Sequence, residues 1–254
     1  MYDSILKTLF FGKKIIYLPT CHSTNDIAAE LVHTTNVSEG TVVITDEQTA
    51  GRGQRGTQWE AGRGHNFTLS IVLKPSFLAL SDQFLLSQVV ALGVRNYVAE
   101  YAKNACIKWP NDIYVNDLKL GGILIESSIQ GSGISHAIVG IGLNINQADF
   151  QGLRATSLRL ETGHQHHLPE ELPKLLQSLE SVYLRLRQGQ AEAIRREYLA
   201  SLLGYGQTRL FRTKHGEFEG VVCGVAPSGK LLVNTAGGIP ESFDIKEVEW
   251  VWES

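Results

Sequence analysis

Apolar residues fall at Leu172, Leu175, Leu176, Leu179, Val182, Tyr183 and Leu186, spaced by three and four. One face of an α-helix repeats in that way, so the spacing predicts an amphipathic helix, with Pro169 near its start. Residues 84–101 are apolar on several faces and free of proline, which predicts a well-buried helix. A further helix is expected over 191–203. Ser23-Thr24-Asn25-Asp26 precedes Ile27, Ala28, Leu31 and Val32, which places a helix start there with Ser, Thr or Asn as its cap. Strands are expected at KKIIYL (13–18), TVVIT (41–45) and FTLSIVL (67–73). From Cys106 to Asn146 strands alternate with turn residues, among them 113–115 and 122–126, with Asn116-Asp117 as a hairpin turn. At Gly204-Tyr205-Gly206 the helical pattern breaks. The pieces TRLFRT, EFEGVVCGV, KLLVNT and EVEWVW follow, with turns at Pro227-Ser228-Gly229 and Gly237-Gly238. Residues 1–204 are therefore read as one large domain and 205–254 as a small β-barrel-like one.

Composition narrows the class. A chain of 254 residues accommodates such a pair of domains. A formal net charge of -3 with no long basic run argues against a nucleic-acid surface. Cys21, Cys106 and Cys223 form no CxxC pair, against a disulfide framework or zinc knuckle. The start MYDSILKTLFFGKK reads as neither signal peptide nor membrane span. A cytoplasmic protein with reduced thiols and no membrane contact is the expectation. His164, His166 and His167 read as a solvated loop, Cys106 as a small core residue, and Trp250 and Trp252 as core.

Two segments carry candidate chemistry. Gly51-Arg52-Gly53-Gln54-Arg55-Gly56 matches GxGxxG but leads into Trp59 and then a strand, without the helix start that a dinucleotide fold requires. No Gly-Lys-Ser/Thr follows, so a P-loop fails as well. There remains a mobile loop carrying Arg52, Arg55 and Arg63, with Trp59 as an aromatic face. It reads as an anion-binding loop or as a solvated basic turn, the first being favoured. Lys108-Trp109-Pro110-Asn111-Asp112 is followed by Lys119 and Leu120-Gly121-Gly122. An Asn-Asp pair at a strand start suits a hydrated magnesium; the same residues also read as a plain turn beside an exposed lysine. Taken together, the two segments describe adenylation. Like charges about 4 Å apart repel by roughly 4 kcal/mol at an effective dielectric near 20. Joining a carboxylate to a phosphate therefore needs fixed cations and magnesium.

In order and spacing, Ser23-Thr24-Asn25, Gln48 through Trp59, Gly64-His65-Asn66, KWPNDIYVNDLKLGGILIE and GIGLNIN resemble the biotin protein ligases. The resemblance is strong over residues 13–160 and looser beyond. It implies an α+β fold: a central mixed β-sheet with helices on one side, of the class II synthetase or biotin-lipoate ligase type, then a small SH3-like β-barrel domain. It also implies an enzyme that activates biotin with Mg-ATP as biotinyl-5'-AMP, releasing pyrophosphate, and passes biotin to a lysine of a biotin carboxyl carrier protein. By resemblance Ser23, Thr24, Asn25, Gln48, Gly51, Arg52, Lys119 and Gly122 contact biotin. Arg52, Gly53, Arg55, Trp59, Asn111, Lys119 and Asn144 serve ATP or the adenylate, with Lys119 and Arg52 as catalytic residues and Asp112 as the Mg2+ ligand. No tightly bound prosthetic group is implied. Gln54 and Thr57 stand where some members carry arginines, and Lys246 is the small-domain candidate for an ATP contact. The resemblance further implies a form without the N-terminal DNA-binding domain of some members, and it allows a homodimer through the sheet edge. A lipoate-attaching ligase would share the fold, but the Gly-Arg-Gly loop and the KWPND spacing favour biotin.

Overall fold

The computed structural model describes residues 7–131 and 133–252, the Arg55 side chain excepted. A seven-stranded mixed sheet organises the first two-thirds of the chain. Its strands are β1 (Ile15–Leu18), β2 (Val42–Thr45), β3 (Phe67–Leu73), β4 (Ala105–Lys108), β5 (Asp112–Val115), β6 (Leu118–Gln130) and β7 (Gly133–Leu143). They lie in the order β1-β2-β3-β7-β6-β5-β4. Only β1 and β2 pair in parallel; the other neighbours are antiparallel. Asn116 and Asp117 turn β5 into β6 with φ of 48° and 62°, a left-handed pair that these two short polar side chains tolerate.

The helices are α1 (Thr24–Thr34), α2 (Gln83–Ala99), α3 (Leu158–Thr162), α4 (Leu168–Arg187) and α5 (Ala191–Ala200). Strand alternation assigns the faces. Phe67, Leu69, Ile71 and Leu73 point into the larger core with α2 and α4. Val72 joins Ala28, Val43 and Ile138 in a smaller cluster under α1. Helices thus cover both faces, not one as expected, because β3 is buried along its whole length. On the α2–α4 side the buried Glu171 accepts hydrogen bonds from Tyr97 (2.9 Å), Tyr101 and Lys174 (2.9 Å). Burial would raise its carboxyl, but these donors outweigh burial and hold it below the ordinary range. His166, expected in a solvated loop, is buried against the Tyr101 ring, and its backbone is held by Asn146. Glu180 of α4 accepts the backbone N–H groups of Leu9, Phe10 and Phe11 at 2.7, 2.8 and 2.9 Å.

The remaining strands are β8 (Thr208–Thr213), β9 (Gly216–Val225), β10 (Leu231–Asn234), β11 (Pro240–Phe243) and β12 (Glu249–Trp250). They form a second, antiparallel sheet in the order β11-β10-β9-β8-β12. It curls around an aromatic stack: Phe211 on Phe218 (5.6 Å), Phe218 on Phe243 (5.7 Å) and Trp250 edge-on to Phe211 (5.3 Å). Trp109 links the two sheets, its indole N–H donating to the Gly229 carbonyl at 2.9 Å. Gly229 lies in a turn at φ 91°, and a Cβ there would strike the Phe84 ring. Segment 201–203 bonds Ile107 and so covers the outer edge of β4. Among the described residues no helix is long and apolar enough to cross a membrane.

Candidate active site

The N-terminus of α1 faces a cavity of 310 Å³ over the sheet, at the lower end of small-molecule sites. Ser23 stands at the N-cap, yet its hydroxyl makes no cap bond. The cap comes instead from Gln48, whose side-chain oxygen accepts the Thr24 backbone N–H (2.7 Å) and lies 3.1 Å from the Thr24 hydroxyl. Ser70 of β3 sits within hydrogen-bond distance of Thr24 Oγ1 (2.8 Å) and Asn25 Oδ1 (2.6 Å). One polar chain therefore ties the helix start, the residue ahead of the glycine-arginine loop and the sheet.

The glycine-arginine loop, expected to be mobile, closes on itself as a small hairpin. Trp59 N–H donates to Gly51 O at 3.0 Å and Gly53 N–H to Thr57 O at 2.7 Å, around a turn at Gln54–Gly56. The glycines are needed for this approach: a Cβ on Gly51 would strike the Trp59 carbonyl, and one on Gly53 the Thr57 hydroxyl. The Trp59 ring lies on Gly142, where a Cβ would overlap it, and Asn25 likewise fills the space above Gly140. Trp59 Nε1 is buried without a protein acceptor. Buried N–H groups are seldom left so.

The opposite wall comes from β5 and β6. Lys119 Nζ lies 2.8 Å from Asp112 Oδ1, with the two side chains 35% and 20% exposed. Backbone bonds to residues 154–156 hold Lys119 in place. Gly122 keeps the floor open beside both side chains. Asn111 donates its amide to the Ile123 carbonyl. Lys108, not assigned from the sequence, also lines the cavity. Its ammonium sits 5.2 Å from the Trp250 ring and 5.6 Å from Tyr114, and burial pulls its pKa below the ordinary lysine value.

Ser23, Thr24, Asn25, Gln48, Arg52, Gly53, Trp59, Asn111, Asp112, Lys119, Gly122 and Lys246 all line this one cavity. Gly51 serves it through the backbone of the hairpin. The Arg55 side chain lies outside the described residues. Asn144 does not reach the cavity wall: it is buried, and its amide donates to the Thr156 carbonyl at 3.1 Å. Not assigned from the sequence were Gly140, Gly142 and Lys108, which also line the cavity, and Asp26 and Glu126, which bond Arg52. The period-two glycines of GIG, on one face of a strand, were a usable signal for the first two. Cys106 is no nucleophile here; burial pushes its thiol up to about 11.

The biotin/lipoate A/B protein ligase family matches residues 17–144, which span the cavity walls except for residues 245 and 246. The bifunctional ligase/repressor BirA of Bacillus spizizenii is 34% identical over 244 residues, 94% of this chain and 74% of that protein. The chain belongs to the biotin/lipoate A/B protein ligase family. Within it the chain is a biotin protein ligase. The biotin–[acetyl-CoA-carboxylase] ligase of Paracoccus denitrificans is 34% identical over 225 residues, 85% of this ligase and 92% of that one. Among solved structures, a biotin protein ligase from Aquifex aeolicus in complex with biotin and ATP superposes with a TM-score of 0.77 at 28% identity. It covers 95% of this ligase and 100% of its own chain.

Proposed function

We propose that this ligase activates biotin with Mg-ATP and transfers it to a lysine of a biotin carboxyl carrier protein. A biotin carboxylate oxygen attacks the α-phosphorus of ATP, and the bond to the β-phosphate breaks to release pyrophosphate. The carrier's ε-amine then attacks the acyl carbon of biotinyl-5'-AMP; the acyl–oxygen bond breaks, the amine loses a proton and AMP leaves. The observation that carries this reading is Lys119, fixed at 2.8 Å from Asp112 on the wall facing the start of α1. Thr24, Asn25 and Gln48 place hydrogen-bonding groups and a positive helix end on one side of the cavity for the biotin end. Lys119 opposes them, where carboxylate and phosphate would meet, and offsets their repulsion. Trp59 offers its face and its N–H to the adenylate.

Asp112 and Asn111 would hold magnesium. The cation takes one or two carboxylates and fills its other positions from phosphates and water, and the half-buried Asp112 fits that donor set. Bound there, it would neutralise phosphate charge. Residues 1–204 are the catalytic unit in this reading, and 205–254 add Lys246 to the cavity mouth. A homodimer through the sheet edge would use the β1 side, since segment 201–203 already bonds β4.

The test is incubation with biotin, Mg-ATP and a carrier domain, followed by mass measurement of the carrier. The expected result is a gain of one biotinyl group that depends on ATP. Lipoyl transfer in place of biotinyl transfer, or none of either, would overturn the reading.

A further inference from the structure

Arg52 resembles a residue that grips the adenylate, but its guanidinium is already engaged. Its two terminal nitrogens meet both oxygens of Glu126, at 3.1 and 3.2 Å, as a fork, and Nη2 also lies 2.5 Å from Asp26 Oδ1. Asp26 is in the first turn of α1. Glu126 continues the face of β6 that begins with Gly122 and Leu124, both on the cavity wall. Asn25 completes the arrangement, its amide donating to Glu126 Oε2 at 2.6 Å while its oxygen faces Ser70.

We propose that Asp26 and Glu126 are positioning residues that hold the glycine-arginine hairpin shut over the cavity through Arg52. Arg52 is then the hairpin's anchor, not the cation that meets phosphate. Charge supports this assignment. Two carboxylates on one guanidinium leave the group net negative, which repels a phosphate. The other cations lining the cavity are Lys119, Lys108 and Lys246. Each partner of the clamp is about two-fifths exposed. Isolated pairs of that kind add little to global stability. The clamp therefore acts locally, on whether residues 51–59 stay folded over a bound intermediate.

This inference rests on the proposed adenylation, so the experiment has one arm that does not. Amide hydrogen exchange over residues 51–59 is measured in the ligand-free protein and in Glu126→Gln. The expected result is faster exchange in that segment alone, with the melting temperature within a few degrees of wild type. In the second arm, release of biotinyl-adenylate is timed for Glu126→Gln, Arg52→Ala and the double variant. Release accelerates about tenfold in each single variant, and the double variant is no faster than the faster single, as for residues acting as one unit. Two results overturn the proposal: unchanged exchange in Glu126→Gln, or adenylate formation lost in Arg52→Ala but intact, with normal retention, in Glu126→Gln. Failure of wild type to form adenylate would sink the functional reading while leaving the exchange result to judge the clamp.

Discussion

The two faces of the central sheet handle polar groups in opposite ways. Behind it, Glu171 is buried between α2 and α4 and has all its partners: two tyrosine hydroxyls and a lysine. In front, the cavity is floored by glycines, Trp59 Nε1 is buried without an acceptor, and Lys119 has one carboxylate beside it in a space sized for a ligand. A satisfied network rigidifies, whereas a buried donor without a partner keeps its desolvation cost. One sheet can carry both because its strands alternate.

Substitutions should separate the faces. Lys119→Ala should lower biotin-dependent ATP–pyrophosphate exchange about 100- to 1,000-fold, the usual scale for removing a group aimed at developing charge. Biotin binding by titration should stay within a few-fold, because the charge it offsets arises only with ATP present; normal exchange would remove Lys119 from its role. Glu171→Ala should cost about 2–3 kcal/mol in denaturant unfolding, since it strands buried hydroxyls, and leave biotin affinity of the folded protein intact. A change in affinity would mean that the two faces are coupled. Gly142→Ala should do the reverse, pushing Trp59 off the floor and weakening biotin binding about tenfold by overpacking with little loss of stability. The smallest effect concerns acid. The Glu171 pKa is depressed on folding, so its contribution is full above the unfolded carboxylate value of 4.5 and lost as pH falls through the lower folded value. Glu171→Gln should flatten the fall in stability below that pH; parallel acid unfolding of variant and wild type would show that Glu171 does not set it.

Elements with strong periodicity were legible in the sequence. The strand FTLSIVL spans 67–73 as expected, and the leucine repeat lies within the helix Leu168–Arg187. The 13-residue β6 was read only in part, because Ser127, Ser128 and Gln130 interrupt its apolar alternation where it leaves the core. EVEWVW pairs over two residues only. The short α3 was not anticipated at all; five residues give no period to detect. At the cavity, the residue types that carry charge and phosphate chemistry stood out through their local spacing. Arg52 and Glu126 are 74 positions apart, and no spacing rule connects them; only the pairing of α1, β6 and the hairpin over one sheet does.

The indole of Trp109 gives the second sheet a mechanical place in the molecule. Its bond to Gly229 makes the turn at 227–229 a bearing for the strip Pro110-Asn111-Asp112, with Phe84 beneath as the stop. The same indole also meets Trp250 at 6.5 Å, so the small sheet abuts the strip that lines the cavity at both its turn and its last strand.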